Sequence, residues 1–165
     1  MLLKILVDGD PVLRKISKPV TQFDATLATL AKNMIETMYS ATGVGLAAPQ
    51  VNQSIRMVVS DWSDDRNLPL VWVNPEIVPV GKKMQCGEEG CLSVPGYLGQ
   101  VERFEKIKIK AQTLNGKGIE TELEGFPAVV LQHEVDHLNG ILYIDKAISD
   151  LEKVDVAKPR RKRAV

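Results

Sequence analysis

Histidine, cysteine and aromatic residues are scarce in this chain: its 165 residues include two histidines, two cysteines and 5% aromatics. Two cysteines make no disulfide framework, and free thiols are best kept in a reducing, cytosol-like compartment. So few aromatic rings, with no cluster among them, leave no platform on which nucleic-acid bases could stack, and no phosphate-binding glycine loop occurs. No apolar run approaches the roughly 18 residues that a membrane-spanning helix needs. Lys4 and Asp8 interrupt the first residues, Met1 to Asp8, too soon for the apolar core of a secretory signal. No net charge of one sign exists either, with 21 basic and 21 acidic residues.

What remains is ordinary for one globular domain. Hydrophobic residues make up 44% and charged residues 25%, and a chain of this length buries about two thirds of its unfolded surface. From Phe23, the apolar residues Leu27, Leu30, Met34 and Met38 recur at helical spacing until Gly43, which predicts an amphipathic helix over Asp24–Ser40 with its stripe in the core. Strands are expected at Ile55–Ser60 and Leu70–Val73. Lys106-Ile107-Lys108-Ile109-Lys110-Ala111 alternates strictly, and Asn115-Gly116 predicts a hairpin from it to Gly118–Leu123. The lysines of that strand are read as one solvated face and not as a nucleic-acid contact. The expected class is α+β: a single domain of antiparallel or mixed sheets around a central helix.

That central helix carries both histidines. In Gln132-His133-Glu134-Val135-Asp136-His137 the imidazoles stand at i and i+4, on one helix face, and can share one metal ion, with Glu134 able to reach a water on it. Pro127 suits the first turn of such a helix and Asn139-Gly140 its end, so it should run from about Pro127 to Leu138. The same pattern also arises as a solvated surface helix, and the flanking residues Val129 and Val130 argue against that. A catalytic site of this kind takes three protein ligands and leaves a position open. Cys91, in Glu88-Glu89-Gly90-Cys91-Leu92-Ser93-Val94-Pro95-Gly96, is a candidate third ligand; Cys86, among polar residues, is the weaker one. On its own, Cys91 reads first as a small buried hydrophobe. Gly43-Val44-Gly45-Leu46-Ala47-Ala48-Pro49-Gln50 is a third distinctive stretch: small, apolar and closed by one amide.

Together these three stretches, in this order, resemble the signature set of peptide deformylases, and the likeness extends to Asp10-Pro11-Val12-Leu13-Arg14, covering about Ile5 to Asp145. The resemblance implies that Cys91, as thiolate, with His133 and His137 binds one divalent metal. Such a site admits zinc, iron, nickel or cobalt, and the family leads us to expect ferrous iron. Glu134 is then general base and acid, and Gln50 with the Leu92 backbone N–H holds the developing oxyanion. The substrate is a nascent chain beginning with N-formylmethionine, its backbone paired with Val44, Gly45 and Gly90 and its methionine in an apolar pocket that includes Val130, His133 and neighbouring Val129. Asp136 is expected to pair with Arg103, pinning the helix to the sheet.

Two other classes fit parts of the pattern. A zincin-type metallopeptidase shares the histidine motif but would need Asp145 or Glu152 as its downstream ligand, and a non-catalytic metal module would need a fourth ligand and leave Glu134 without a purpose. The family likeness also has gaps: Leu98, beside Tyr97, stands where many members have a substrate-facing arginine, and Ser149-Asp150-Leu151-Glu152 could start only a short C-terminal helix. Five of the basic residues lie in Lys158–Arg163 with no acid after Asp155, so the tail is +5 and the body −5. We therefore divide the chain into a catalytic domain, 1–157, and a basic tail, 158–165. The tail is read as solvated, with docking on ribosomal RNA as its rival reading. A cytoplasmic, membrane-free monomer is expected.

Overall fold

The computed structural model describes residues 1–155; the basic tail lies outside the described residues. Helix α1 (Ala25–Ser40) begins where the Asp24 carboxylate accepts the Leu27 N–H at 3.0 Å, satisfying one of the free donors of the first turn. Its face of Leu27, Ala31, Met34 and Met38 is buried. Replacing Asp24 with alanine removes the cap and is expected to cost about 1 kcal/mol, measured as a lower urea midpoint; an unchanged midpoint would mean the cap contributes nothing.

The chain then forms β1 (Gly45–Ala47), a 3₁₀ turn at Ala48–Val51, β2 (Met57–Ser60), β3 (Leu70–Pro79), β4 (Met84–Cys91), β5 (Val94–Phe104), β6 (Lys106–Gln112), β7 (Gly118–Glu124), α2 (Phe126–Leu138) and β8 (Glu152–Lys153). One antiparallel sheet has the order β1-β2-β3-β6-β7 and the other β4-β5-β8. Side chains alternate across a strand, so β2 sends Met57 and Val59 to the cluster with α1 and Val58 to the cluster with α2. The five-stranded sheet is therefore covered by a helix on each face. On β6, Ile107, Ile109 and Ala111 face α2, while Lys106 and Lys108 pair across the strand with Glu122 and Glu120 at 3.3 and 3.2 Å. These exposed pairs contribute little to stability and give the lysines local partners.

The expected Asn115-Gly116 hairpin is present, and one segment after it departs from expectation. The hairpin between β6 and β7 closes through a five-residue loop, Thr113 to Lys117, in which Gly116 takes φ 80° and the Thr113 hydroxyl accepts two backbone N–H groups. Ser149–Glu152 does not start a helix: Ile148 donates to the Gln100 carbonyl at 2.8 Å and β8 pairs with Tyr97 and Leu98 of β5. The free edge of β5 offers unpaired backbone groups, and an extended segment satisfies them.

Helix α2 lies between the sheets. Pro127 is in its first turn, and it ends at Asn139, with Gly140 at φ 74°. A Cβ at Gly140 would stand 2.5 Å from the Arg14 carbonyl oxygen, so only glycine fits both the turn and the approach. Among the described residues, no helix is long and apolar enough to cross a membrane.

Candidate active site

Helix periodicity places His133 and His137 on one face of α2, with ring centroids 5.1 Å apart. Cys91 reaches them from the end of β4. The register of β4 against β5 shifts between Glu89 and Cys91, and this irregularity at Gly90, followed by the tight turn at Leu92-Ser93, aims the thiol at α2. Cys91 Sγ lies 3.4 Å from His137 Nε2, and the ligand atoms of Cys91, His133 and His137 are all within 4.8 Å of one another. All three residues are buried. Cys86 is exposed on β4 and is not part of this group.

His133 is held by a chain of charges. Its Nδ1 lies 2.9 Å from Glu89 Oε1, which leaves Nε2 as the free ligand atom. Arg103 grips Glu89 with two bonds, Nε to Oε2 at 3.0 Å and Nη2 to Oε1 at 2.8 Å, and reaches Asp136 with Nη1 at 2.6 Å. Lys146 adds a second partner to Asp136 at 3.0 Å. The Asp136–Arg103 pair is thus present, and Glu89 extends it to the histidine. Burial pushes Glu89 up, but Arg103 and His133 outweigh it and bring the carboxyl down to about 2. Burial lowers His133, yet its bonds to Cys91 and Glu89 raise it to about 10. Glu134 is fully enclosed, and burial raises it to about 7.

A metal ion fits these residues. Glu134 Oε2 is buried without a hydrogen-bond partner, and a set of two imidazoles and one thiol suits a borderline divalent cation. Glu134 Oε1 is 3.9 Å from His133 Nε2, close to the donors without belonging to the ligand group.

Gln50 approaches from the 3₁₀ turn. The Ala47 N–H donates to its Oε1 at 2.9 Å, so its Nε2 must point the other way, where it lies 3.0 Å from Ser93 Oγ and 3.6 Å from Cys91 Sγ. Leu6 N–H donates to the Gln50 carbonyl and Asp8 N–H to the Ser93 carbonyl, both at 2.7 Å, so the N-terminal segment straps the two turns together. Gly45 stands against Glu134: a Cβ there would lie 2.8 Å from its Cγ and Oε1. This glycine makes room for the carboxylate, a different reason from the substrate approach expected of it. Gly43 is similarly tight against Leu92. Val44 and Gly90 are buried beside the group, and Val130 is fully buried in the core with Val44.

A cavity of about 170 Å³ between β4 and α2 is lined by Gly87, Glu89, Val101, Phe126 and Val129 among others. Phe126 is a wall that sequence reading missed. A larger cavity of about 730 Å³ contains none of the ligand residues and lies on another face of α2, by Gln132, Val135 and Asp136. Glu89 and Ser93 were also missed; both lie in the cysteine stretch, where nothing local separates Glu89 from Glu88.

A family model described as polypeptide deformylase matches residues 2–153. The chain belongs to the polypeptide deformylase family. The peptide deformylase of Hahella chejuensis is 47% identical over 161 residues, covering 98% of this chain and 95% of that protein. The crystal structure of the Thermotoga maritima deformylase superposes with a TM-score of 0.86 at 49% identity, covering 90% of this chain and 99% of that one. An actinonin-bound deformylase from Acinetobacter baumannii gives 0.82 at 44% identity, covering 88% and 98%. Like those deformylases, this chain is an enzyme of N-terminal processing.

Proposed function

We propose that Cys91, His133 and His137 hold one divalent metal ion and that Glu134, Gln50 and the Leu92 N–H act around it to hydrolyse the N-formyl group of newly made polypeptides. Family membership assigns the reaction: water adds to the formyl carbon, the carbon–nitrogen bond breaks, and formate and a free methionyl amine leave. The chemistry such an ion supplies when bound is Lewis acidity, which polarises the carbonyl and lowers the pKa of water.

The chain's own residues do the rest. Glu134, buried and titrating near neutrality, takes a proton from the attacking water and returns it to the departing amine nitrogen. Gln50 Nε2, fixed in orientation by Ala47, donates to the formyl oxygen as negative charge grows there, with the Leu92 N–H as second donor. Glu89 and Arg103 keep His133 in the tautomer that presents Nε2. The helix carrying His133 and His137 is in this reading the centre of the domain, with amphipathic α1 as its counterpart across the five-stranded sheet. Substrate backbone pairs along Val44, Gly45 and Gly90, and the methionine side chain enters the cavity beside Phe126 and Val129, with Val130 behind it. Ferrous iron is the ion we assign, in a cytoplasmic monomer, with 1–157 as the catalytic domain and 158–165 as a solvated basic tail, for which ribosome docking is the rival reading.

The observation that carries this reading is the convergence of three buried ligand atoms with a partnerless glutamate oxygen and an amide already aimed at them. The rival metallopeptidase is disfavoured, because Asp145 is engaged by Arg14 and the Leu142 N–H, and Glu152 pairs opposite Leu98 in the second sheet. Protein loaded anaerobically with ferrous iron should release formate from formyl-Met-Ala-Ser and leave unformylated Met-Ala-Ser intact. Cleavage of a peptide bond in the latter, with no formate from the former, would overturn the assignment.

A further inference from the structure

One buried carboxylate has no part in this chemistry. Asp61, wholly enclosed at the end of β2, accepts four bonds: the Tyr39 hydroxyl at 2.5 Å and Leu68 N–H at 3.1 Å on Oδ2, and Ser63 N–H at 2.8 Å and its hydroxyl at 2.5 Å on Oδ1. These bonds shape the loop after β2 into a bracket that presents Arg66, itself at φ 57°. The Arg66 guanidinium then does three things. It donates to the Asp61 carbonyl through Nη1 at 2.7 Å, donates to the Gly43 carbonyl through Nη2, and lies 5.2 Å from the Tyr39 ring centroid. The Asp61 N–H meanwhile holds the Val44 carbonyl at 2.9 Å.

Both grips close on the segment leading into β1, the segment that packs against Leu92 on one side and Glu134 on the other. This segment is also held by its pairing with β2, by the Gly43 N–H on the Met38 carbonyl at 3.0 Å and by buried Val44, and Arg66 adds a charged grip on the Gly43 carbonyl. Gly43 and Gly45 carry no side chains to pack, and glycine loses more conformational freedom on ordering than any other residue. A charged donor on a carbonyl is worth more than a neutral one, and the rigid planar fork of arginine holds two carbonyls in fixed directions, a geometry that a lysine ammonium does not reproduce.

We infer that Arg66 is a positioning residue for the substrate-pairing strand: by clamping Gly43 to the Asp61 loop, it sets the edge against which the peptide backbone docks, and so governs KM and not the hydrolytic step. The inference rests on the deformylase reading given above for what docks there, but the clamp itself can be read without activity.

The test compares wild type, Arg66→Ala and Arg66→Lys, each with its iron content measured. With formyl-Met-Ala-Ser, Arg66→Ala should raise KM about tenfold, as expected when a charge-assisted hydrogen bond is lost from a binding element, while kcat stays within about twofold. Arg66→Lys, keeping one carbonyl bond, should fall between the two. Amide hydrogen exchange in a peptide spanning residues 43–47 should be faster in Arg66→Ala, as in the 61–66 loop that Arg66 also grips, with segments away from Arg66 unchanged. A merely structural role predicts the opposite split, a lower kcat from a smaller folded fraction at unchanged KM, and that result overturns the inference. If Arg66→Ala fails to fold, Arg66→Lys alone decides, and a KM equal to wild type sinks the idea. If wild type releases no formate, the proposed function fails, and unchanged exchange over 43–47 separately refutes the clamp.

Discussion

Replacing Glu134 with glutamine is expected to lower kcat by about 100- to 10,000-fold, the range that a positioned general acid–base contributes, while the metal content stays that of wild type. Glutamine has the shape of glutamate and fits the space that Gly45 leaves, so the packing survives the change. What it lacks is a group that can accept a proton from water and give it back. The pH dependence of stability supplies an independent readout in protein stripped of metal by a chelator. Glu134 titrates at about 7 in the fold against an ordinary value of 4.5, so the folded state binds the extra proton and wild-type stability falls as pH rises from 4.5 through 7. The glutamine variant carries no such penalty and should be at least as stable as wild type at pH 8. A variant that keeps activity within tenfold would remove Glu134 from the mechanism.

Arg103→Ala is expected to be the most destabilising single change in the site. Arg103 is 3% exposed and Glu89 1%, so the substitution leaves a buried carboxylate with only His133 for support. Breaking a buried pair in this way costs about 3–5 kcal/mol. Because Glu89 orients His133, metal retention should also weaken by about 10- to 100-fold. The sign with pH follows from Glu89, whose folded value of about 2 lies below the ordinary 4.5. Its contribution is complete above 4.5 and is lost as pH falls towards 2. Urea unfolding should therefore separate wild type from variant widely at pH 7 and much less near pH 3. Equal stability at pH 7 would show that the pair does not hold α2 to the sheet.

Features of the fold that depend on neighbours in sequence were legible. The Leu27, Met34 and Met38 spacing with Asp24 before it, the Lys106–Ala111 alternation, and Pro127 and Gly140 around the histidines are local signals, and the structure has α1, β6 and α2 at those places. The β4–β5 hairpin was not legible as strands. Met84–Glu88 is exposed or only partly covered, and the run lacks the clean alternation of a half-buried strand. Its glycines and proline suit a loop or a strand edge, and long-range pairing decides for strand. The site divides in the same way. Cys91, His133, His137, Glu134 and Gln50 stand in recognisable stretches, and the structure brings them together. Glu89, Ser93, Phe126 and the Leu6 and Asp8 amides act across sheets and turns, where meaning depends on which partner the fold delivers.

The proposed activity depends on one ion held by Cys91, His133 and His137 serving one reaction. The most direct test is formate released from formyl-Met-Ala-Ser, titrated against ferrous iron added back to anaerobic, chelator-stripped protein. The rate should be negligible without iron, rise linearly and saturate at one ion per chain. Formate release at full rate from the stripped protein, or saturation of the site with the formyl group left intact, would contradict it.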